Sequence, residues 1–398
     1  MKTKHLVFLA FFMAIIFGCN KSYNPSRSGY TKILQNSIDT AWQNYTAEID
    51  GWKGGLGIYI VCPKGNFFVS SGLDPDATAN SHFRGASITK SFTATAIMML
   101  DQDGRLNIED TISSMIPGTI IPYIPNDITY NIPYKNRITI RQLLEHRANI
   151  FDQVNSRIPD TVNTWYAGQI YYMSILLQKD RYHQFTLDEL HGLISRHQLT
   201  YGPPGIEHHY SNNGYTLLAT IIERVSGKEY HEFVKDEILD KNHLHQTTFP
   251  YLGKDTSLPA PFLHGYYFLD NTNTDFTMFN MSWGIAEGNI VSTFSDLATF
   301  YRNLFRGKAG LNTEQVTKMM ECLPLNESYG LGIEFAEGLG YGHTGDHLGY
   351  LTVAYYDPEK DFMIVSESTF YPQDQALNNA QGRTVVNLLK KMKQILTY

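Results

Sequence analysis

The sequence predicts a mixed α/β fold of the α+β type: one antiparallel sheet flanked by terminal helices, with an all-helical lobe inserted into it. Three observations predict this. Two strand-like runs joined by turn residues lie near the start of the chain, two more lie near its end, and most periodic segments between them have helical spacing. Joining the terminal strands into one sheet, with helices on its faces, is the simplest way to bury all of these apolar stripes.

Taken in order, Lys2, Lys4 and His5 precede an unbroken apolar run at 6–17. That run is too short to cross a bilayer as a mature helix, so residues 1–19 read as an export signal. It ends in Ile16-Phe17-Gly18-Cys19, which resembles a bacterial lipobox and makes Cys19 the expected lipid anchor. The protein is therefore expected to be an exported lipoprotein, held by an N-terminal lipid on the periplasmic or cell-surface side of a membrane. A polar tether follows at 20–29. Ile33, Leu34, Ile38 and Trp42 give 30–49 a helical stripe. Segments 57–61 and 66–70 make a hairpin through Pro63-Lys64-Gly65. Helices are predicted at 90–101, 140–146, 187–197, 214–225 and 230–238, and a long surface excursion at 118–136. Strands at 351–356 and 362–368 flank the turn Pro358-Glu359-Lys360, and 383–396 is an amphipathic helix. Residues 30–398 form a single domain in this reading, with a sheet lobe at about 30–86 and 283–398 and a helical lobe at about 87–282.

Composition agrees with a folded globular chain: 398 residues, 42% hydrophobic and 18% charged. A net charge of -7 supplies no basic stripe, which argues against a nucleic-acid partner. Beyond Cys19 only Cys62 and Cys322 remain; both are expected to be buried thiols, and the sequence leaves their pairing open.

The chemistry concentrates in three segments. Gly85-Ala86-Ser87-Ile88-Thr89-Lys90 opens a helix and sets Ser87 and Lys90 on one face. A serine hydroxyl needs a base to become a nucleophile, and a desolvated lysine can serve as one. Tyr210-Ser211-Asn212, ahead of the next long helix, adds a phenol able to hold or pass the serine proton and an amide able to bond the lysine and a substrate carbonyl. Tyr341-Gly342-His343-Thr344-Gly345-Asp346 precedes the C-terminal strands. There His343 offers a donor for a substrate carboxylate, Thr344 a hydroxyl, Gly345 close backbone approach, and the Asp346 N–H an oxyanion donor. Each segment alone has a bland reading as a cap or a turn; their joint occurrence in this order does not.

Together these segments resemble the Ser-x-x-Lys, Tyr-x-Asn and Lys/His-x-Gly motifs of the serine β-lactamases of class C, the D-alanyl-D-alanine carboxypeptidases and their esterase relatives. The resemblance runs from about Gly54 to the C-terminus. It also takes in Asp103-Gly104-Arg105-Leu106-Asn107-Ile108-Glu109-Asp110, the segment at 138–146 and the segment at 290–297. It implies a β-lactamase/transpeptidase-like fold. By the same resemblance Ser87 is the acylated nucleophile, Lys90 its base or proton shuttle, Tyr210 a second base and Asn212 a substrate-positioning amide. His343, Thr344 and Gly345 would bind substrate, and the backbone N–H groups of Ser87 and Asp346 would form the oxyanion hole. The sequence departs from the family pattern in three places. His343 stands where class C β-lactamases usually carry Lys, Arg147-Ala148-Asn149 replaces a sequence close to Thr-Ser-Gly, and Asp346 puts an acid where small residues are common. Phe151-Asp152-Gln153 is expected at the mouth of the site.

The histidines at 208–209, 243 and 245, and 343 and 347 lack ligand spacing, so no metal is expected, and no cofactor is implied. The glycines at 51–57 precede a strand, which excludes a phosphate loop. The apolar cluster at 171–177 reads as helical core. The expected activity is acyl-enzyme hydrolysis by a penicillin-binding carboxypeptidase-like peptidase, with cell-wall stem peptide, a β-lactam or an ester as substrate. A β-lactamase, an esterase or a D-aminopeptidase would share the constellation. A catalytically silent wall-binding module is the alternative of another class.

Overall fold

The structure, a computed structural model, describes residues 25–205, 207–321 and 328–397. The export signal, Cys19 and Cys322 lie outside the described residues, while Cys62 is a free, buried thiol.

Helix α1 (Arg27–Thr46) starts where the Ser26 side chain accepts from the Gly29 N–H. The predicted hairpin follows as β1 (Leu56–Cys62) and β2 (Gly65–Ser71), and β3 (His82–Ala86) leads into α2 (Thr89–Gln102). The middle of the chain supplies α3 (Ile140–Leu144), α4 (Tyr171–Gln178), α5 (Leu187–His197), α6 (Asn212–Ser226) and α7 (Tyr230–Val234). A π-turn at Lys235–Leu239 continues α7, which accounts for the longer helix expected there. Strands β4 (Tyr266–Leu269) and β5 (Thr272–Asp275) form a hairpin that the sequence reading did not include, turned at Asp270-Asn271. Next come β6 (Ile290–Thr293), α8 (Phe294–Phe305) and α9 (Thr313–Met320). The chain closes with β7 (Glu334–Ala336), β8 (Gly340–His347), β9 (Tyr350–Asp357), β10 (Phe362–Ser368), β11 (Phe370–Pro372) and α10 (Gln375–Thr397).

The main sheet has the order β2-β1-β10-β9-β8-β7, so strands from both ends of the chain meet at its centre, with Leu56 opposite Ser368. Both faces are covered, which is why β1 and β10 read as near-continuous apolar runs. Alternate side chains go to different cores. Ile58, Ile60 and Ile364 join α1 and α10 in one cluster, whereas Val61, Met363 and Val365 join α8 and the helices of the middle segment in the other. The 118–136 stretch has neither helix nor strand but is not merely superficial. It buries Tyr123, Ile124, Tyr130 and Ile132 while leaving Ile120 and Ile128 exposed.

Candidate active site

Strand β3 pairs with β6 and ends at Ala86, whose φ of 46° lies in the left-handed region, uncommon for a side chain with a Cβ. This bend presents Ser87 in a tight turn ahead of α2. Lys90 sits in the first turn of that helix and is completely buried. Its Nζ lies 3.0 Å from Ser87 Oγ and donates to Asn212 Oδ1 at 2.6 Å and to the Glu287 carbonyl at 2.8 Å. These two acceptors engage two of its hydrogens. In the neutral amine the remaining lone pair therefore faces the serine hydroxyl, the arrangement a general base requires.

Burial pulls the Lys90 ammonium below its usual pKa, while the Glu287 and Asp152 carboxylates oppose that shift. The Glu287 carboxylate is 3.3 Å from Nζ, and burial pushes its own pKa up to about 7. Tyr210 comes from the residue before the Ser211 cap of α6. Its ring stands 4.8 Å from Lys90 Nζ, and its phenol hydrogen-bonds Ser87. Burial raises that phenol well above its ordinary pKa, so it holds its proton at neutral pH.

Asn212 is fixed from both ends: Oδ1 accepts from Lys90, and Nδ2 donates to Asp152 at 3.1 Å. Asp152, expected at the mouth of the site, is instead buried behind Asn212, where it also accepts from the Val154 N–H. Strand β8 runs alongside the nucleophile. A Cβ on Gly345 would fall 2.1 Å from the Gly85 carbonyl oxygen and 3.3 Å from Ser87 N, so only glycine allows this approach. That contact sets β8 against the Ser87 turn, with Asp346 the next residue along the strand.

His343 is not where a carboxylate-binding role would put it. The ring is 1% exposed and does not line the cavity in front of Ser87. Its Nδ1 bonds the Thr344 carbonyl, and its Nε2 lies 2.9 Å from the Tyr329 phenol. Tyr329 in turn lies 3.2 Å from His146 Nε2, and His146 Nδ1 accepts from the Ser211 N–H. The His146 ring lies against Tyr210, with centroids 4.1 Å apart. A chain of buried rings thus links β8 to the Tyr210 loop, and burial lowers the pKa of both histidines. Thr344 does line the cavity, but its N–H and hydroxyl both donate to the Glu334 carboxylate, each at 3.2 Å.

The sequence reading missed Glu287, Glu334, Tyr329 and Trp283. Only Glu334 carried a signal, as an acid in the otherwise apolar run Leu331-Gly332-Ile333-Glu334-Phe335. Trp283 stacks between Tyr172 of α4 and His347, so part of the 171–177 cluster backs the cavity wall.

A serine held against a buried lysine, with a tyrosine phenol on the same hydroxyl, is the constellation of an active-site serine hydrolase. The Beta-lactamase family model matches residues 60–385, and the chain belongs to that family of serine hydrolases. Penicillin-binding protein 4* of Bacillus subtilis is 26% identical over 321 residues, covering 74% of this chain and 63% of that protein. Protein flp of Staphylococcus aureus is 31% identical over 229 residues, covering 55% of this chain and 39% of that protein. The chain thus spans less than two thirds of the length of these curated relatives. Among solved structures, a D-stereospecific amidohydrolase from Streptomyces sp. superposes with a TM-score of 0.69 at 22% identity, over 87% of this chain and 97% of that one. D-amino acid amidase from Ochrobactrum anthropi SV3, complexed with L-phenylalanine amide, gives 0.67 at 22% identity, over 91% and 99%. At such identities the likeness is one of fold.

Proposed function

We propose that this protein hydrolyses amide or peptide bonds through an acyl-enzyme on Ser87. The observation that carries the reading is the placement of Lys90 Nζ, 3.0 Å from Ser87 Oγ with its other hydrogens engaged. Neutral Lys90 takes the hydroxyl proton as Oγ attacks the carbonyl carbon. The oxyanion settles between the Ser87 and Asp346 N–H groups, and the proton returns to the leaving amine through Tyr210. Water then releases the acyl group by the same route in reverse. Asn212 and Asp152 hold Lys90, and His343 with Tyr329 and His146 positions the Tyr210 loop. Amide cleavage is favoured by the fold shared with the two amidohydrolases. Removal of a C-terminal residue bearing a free carboxylate fits less well, because Glu334 already occupies the Thr344 donors. The apolar leader and Cys19 support a place outside the cytoplasm, on a lipid anchor.

The test is intact-mass analysis after brief incubation with a penicillin and, separately, with p-nitrophenyl acetate, using the wild type and Ser87→Ala. One acyl adduct per chain that vanishes in Ser87→Ala is expected; an adduct or turnover that survives the substitution overturns the reading.

A further inference from the structure

We propose that the site recognises a protonated amine on its substrate, received by the carboxylates of Glu334 and Asp346 beside Thr344. The inference rests on the serine-hydrolase reading and narrows its substrate class. The cavity in front of Ser87 has a volume of about 380 Å³, and among the described residues lining it none is Arg or Lys, whereas Glu287, Glu334 and Asp346 all line it. Lys90 is sealed beneath the floor by Ser87, Asn212 and Glu287 and offers a ligand no exposed charge.

Most side-chain donors of the wall are engaged within the protein. Thr344 donates to Glu334, Trp283 Nε1 to the Asn280 carbonyl, Asn155 Nδ2 to Asp152, and the Tyr371 phenol to Asp346. What remains is mainly acceptor capacity. Glu334 is partly open, Asp346 is exposed, and two buried wall atoms, Glu287 Oε1 and His347 Nε2, have no hydrogen-bond partner among the described residues. His347 Nδ1 faces the Leu348 carbonyl at 3.1 Å, so Nδ1 carries the hydrogen and the unpartnered Nε2 is a bare acceptor. Burial keeps that ring neutral, with its pKa pushed down to about 3. A wall rich in acceptors and carboxylates, with no cationic side chain among its described residues, repels a carboxylate and complements an ammonium, which brings donors and a positive charge. Alternation along β8 points Thr344 and Asp346 to the same side of the strand, and Glu334 on β7 reaches Thr344, so both acids face the same cavity.

The amine can belong to the acyl portion, as in an amino acid amide with a free N-terminus, or to the leaving group. Two matched series separate these sources: D-alanine p-nitroanilide against its N-acetyl form, and N-acetyl-D-alanine linked to 1,3-diaminopropane against the propylamide. In one series the amine-bearing member is expected to have kcat/KM higher by about 10- to 100-fold, the worth of one charge-assisted hydrogen bond, with the gain largely in KM. Glu334→Gln and Asp346→Asn, which preserve shape, should each shrink that ratio at least several-fold, and the pair of variants guards against either one misfolding. Two results sink the proposal while leaving the hydrolase reading intact: Ser87 acylation without amine preference in either series, or a preference unchanged in both variants. Failure of Ser87 to acylate at all removes the hydrolase reading instead.

Discussion

Gly345→Ala should disable acylation without unfolding the protein. The added Cβ would lie 2.1 Å from the Gly85 carbonyl oxygen, where ordinary contact needs about 3.4 Å, and 3.3 Å from Ser87 N. Both obstacles are backbone, so no side chain can rotate away. Either β8 or the Gly85-Ala86-Ser87 turn must move by about 1 Å, and that separates the two N–H groups meant to share the oxyanion. A displacement of that size costs about 100-fold, and complete loss of one donor up to about 1000-fold. Overpacking adds about 1–3 kcal/mol of destabilisation, which a domain with this much buried core can absorb. Acylation of Ser87 by p-nitrophenyl acetate, followed by stopped-flow absorbance beside a thermal melt, separates the two effects. A folded Gly345→Ala protein acylating within about threefold of wild type would falsify the oxyanion assignment, since the strain would then have been relieved without disturbing the corner.

Other substitutions probe the charges and the ring chain. The Glu287 carboxylate raises the Lys90 pKa against the lowering effect of burial, so Glu287→Gln should let Lys90 lose its proton at lower pH. Because only the free amine accepts the serine proton, the acidic limb of the kcat/KM profile should move toward lower pH; a limb that stays or moves upward contradicts the role given to Lys90. Tyr329→Phe leaves His146 Nε2 and His343 Nε2 without their shared partner, which should cost about 1–3 kcal/mol in urea denaturation. It should also loosen the Tyr210 loop, lowering kcat more than it raises KM, and unchanged stability would mean that the ring chain is not holding that wall.

The parts of the molecule legible in the sequence were those whose cause is local. The hairpin at Pro63-Lys64-Gly65 and the helical stripe through Trp42 are set by neighbours a few residues away. Ser87, Lys90 and Tyr210 were legible because fixed spacing and order mark them. Glu287 and Glu334 belong to no motif, and their importance comes from meeting Lys90 and Thr344 across distant stretches of chain. His343 misled for the opposite reason. It stands at a position where a polar side chain would greet substrate, yet Tyr329 captures it, and no pattern in the sequence announces that contact. Asp152 was placed near the site correctly, but its burial behind Asn212 follows from tertiary packing alone.

The strand order carries a consequence for how the enzyme comes into being. The central strand β10 lies between β1 and β9, so the N-terminal hairpin stays unpaired on one edge until nearly the whole polypeptide has been made. Strand β8, with the corner that would receive the oxyanion, depends on β9 and so on the same late arrival. Joining ends so far apart is an entropic obstacle met before any long-range pairing rewards it, which makes assembly slow and concentrates it in a final step. A chain cut short before Phe362 would lack the strand that joins β1 to β9, and with it the closure of the main sheet.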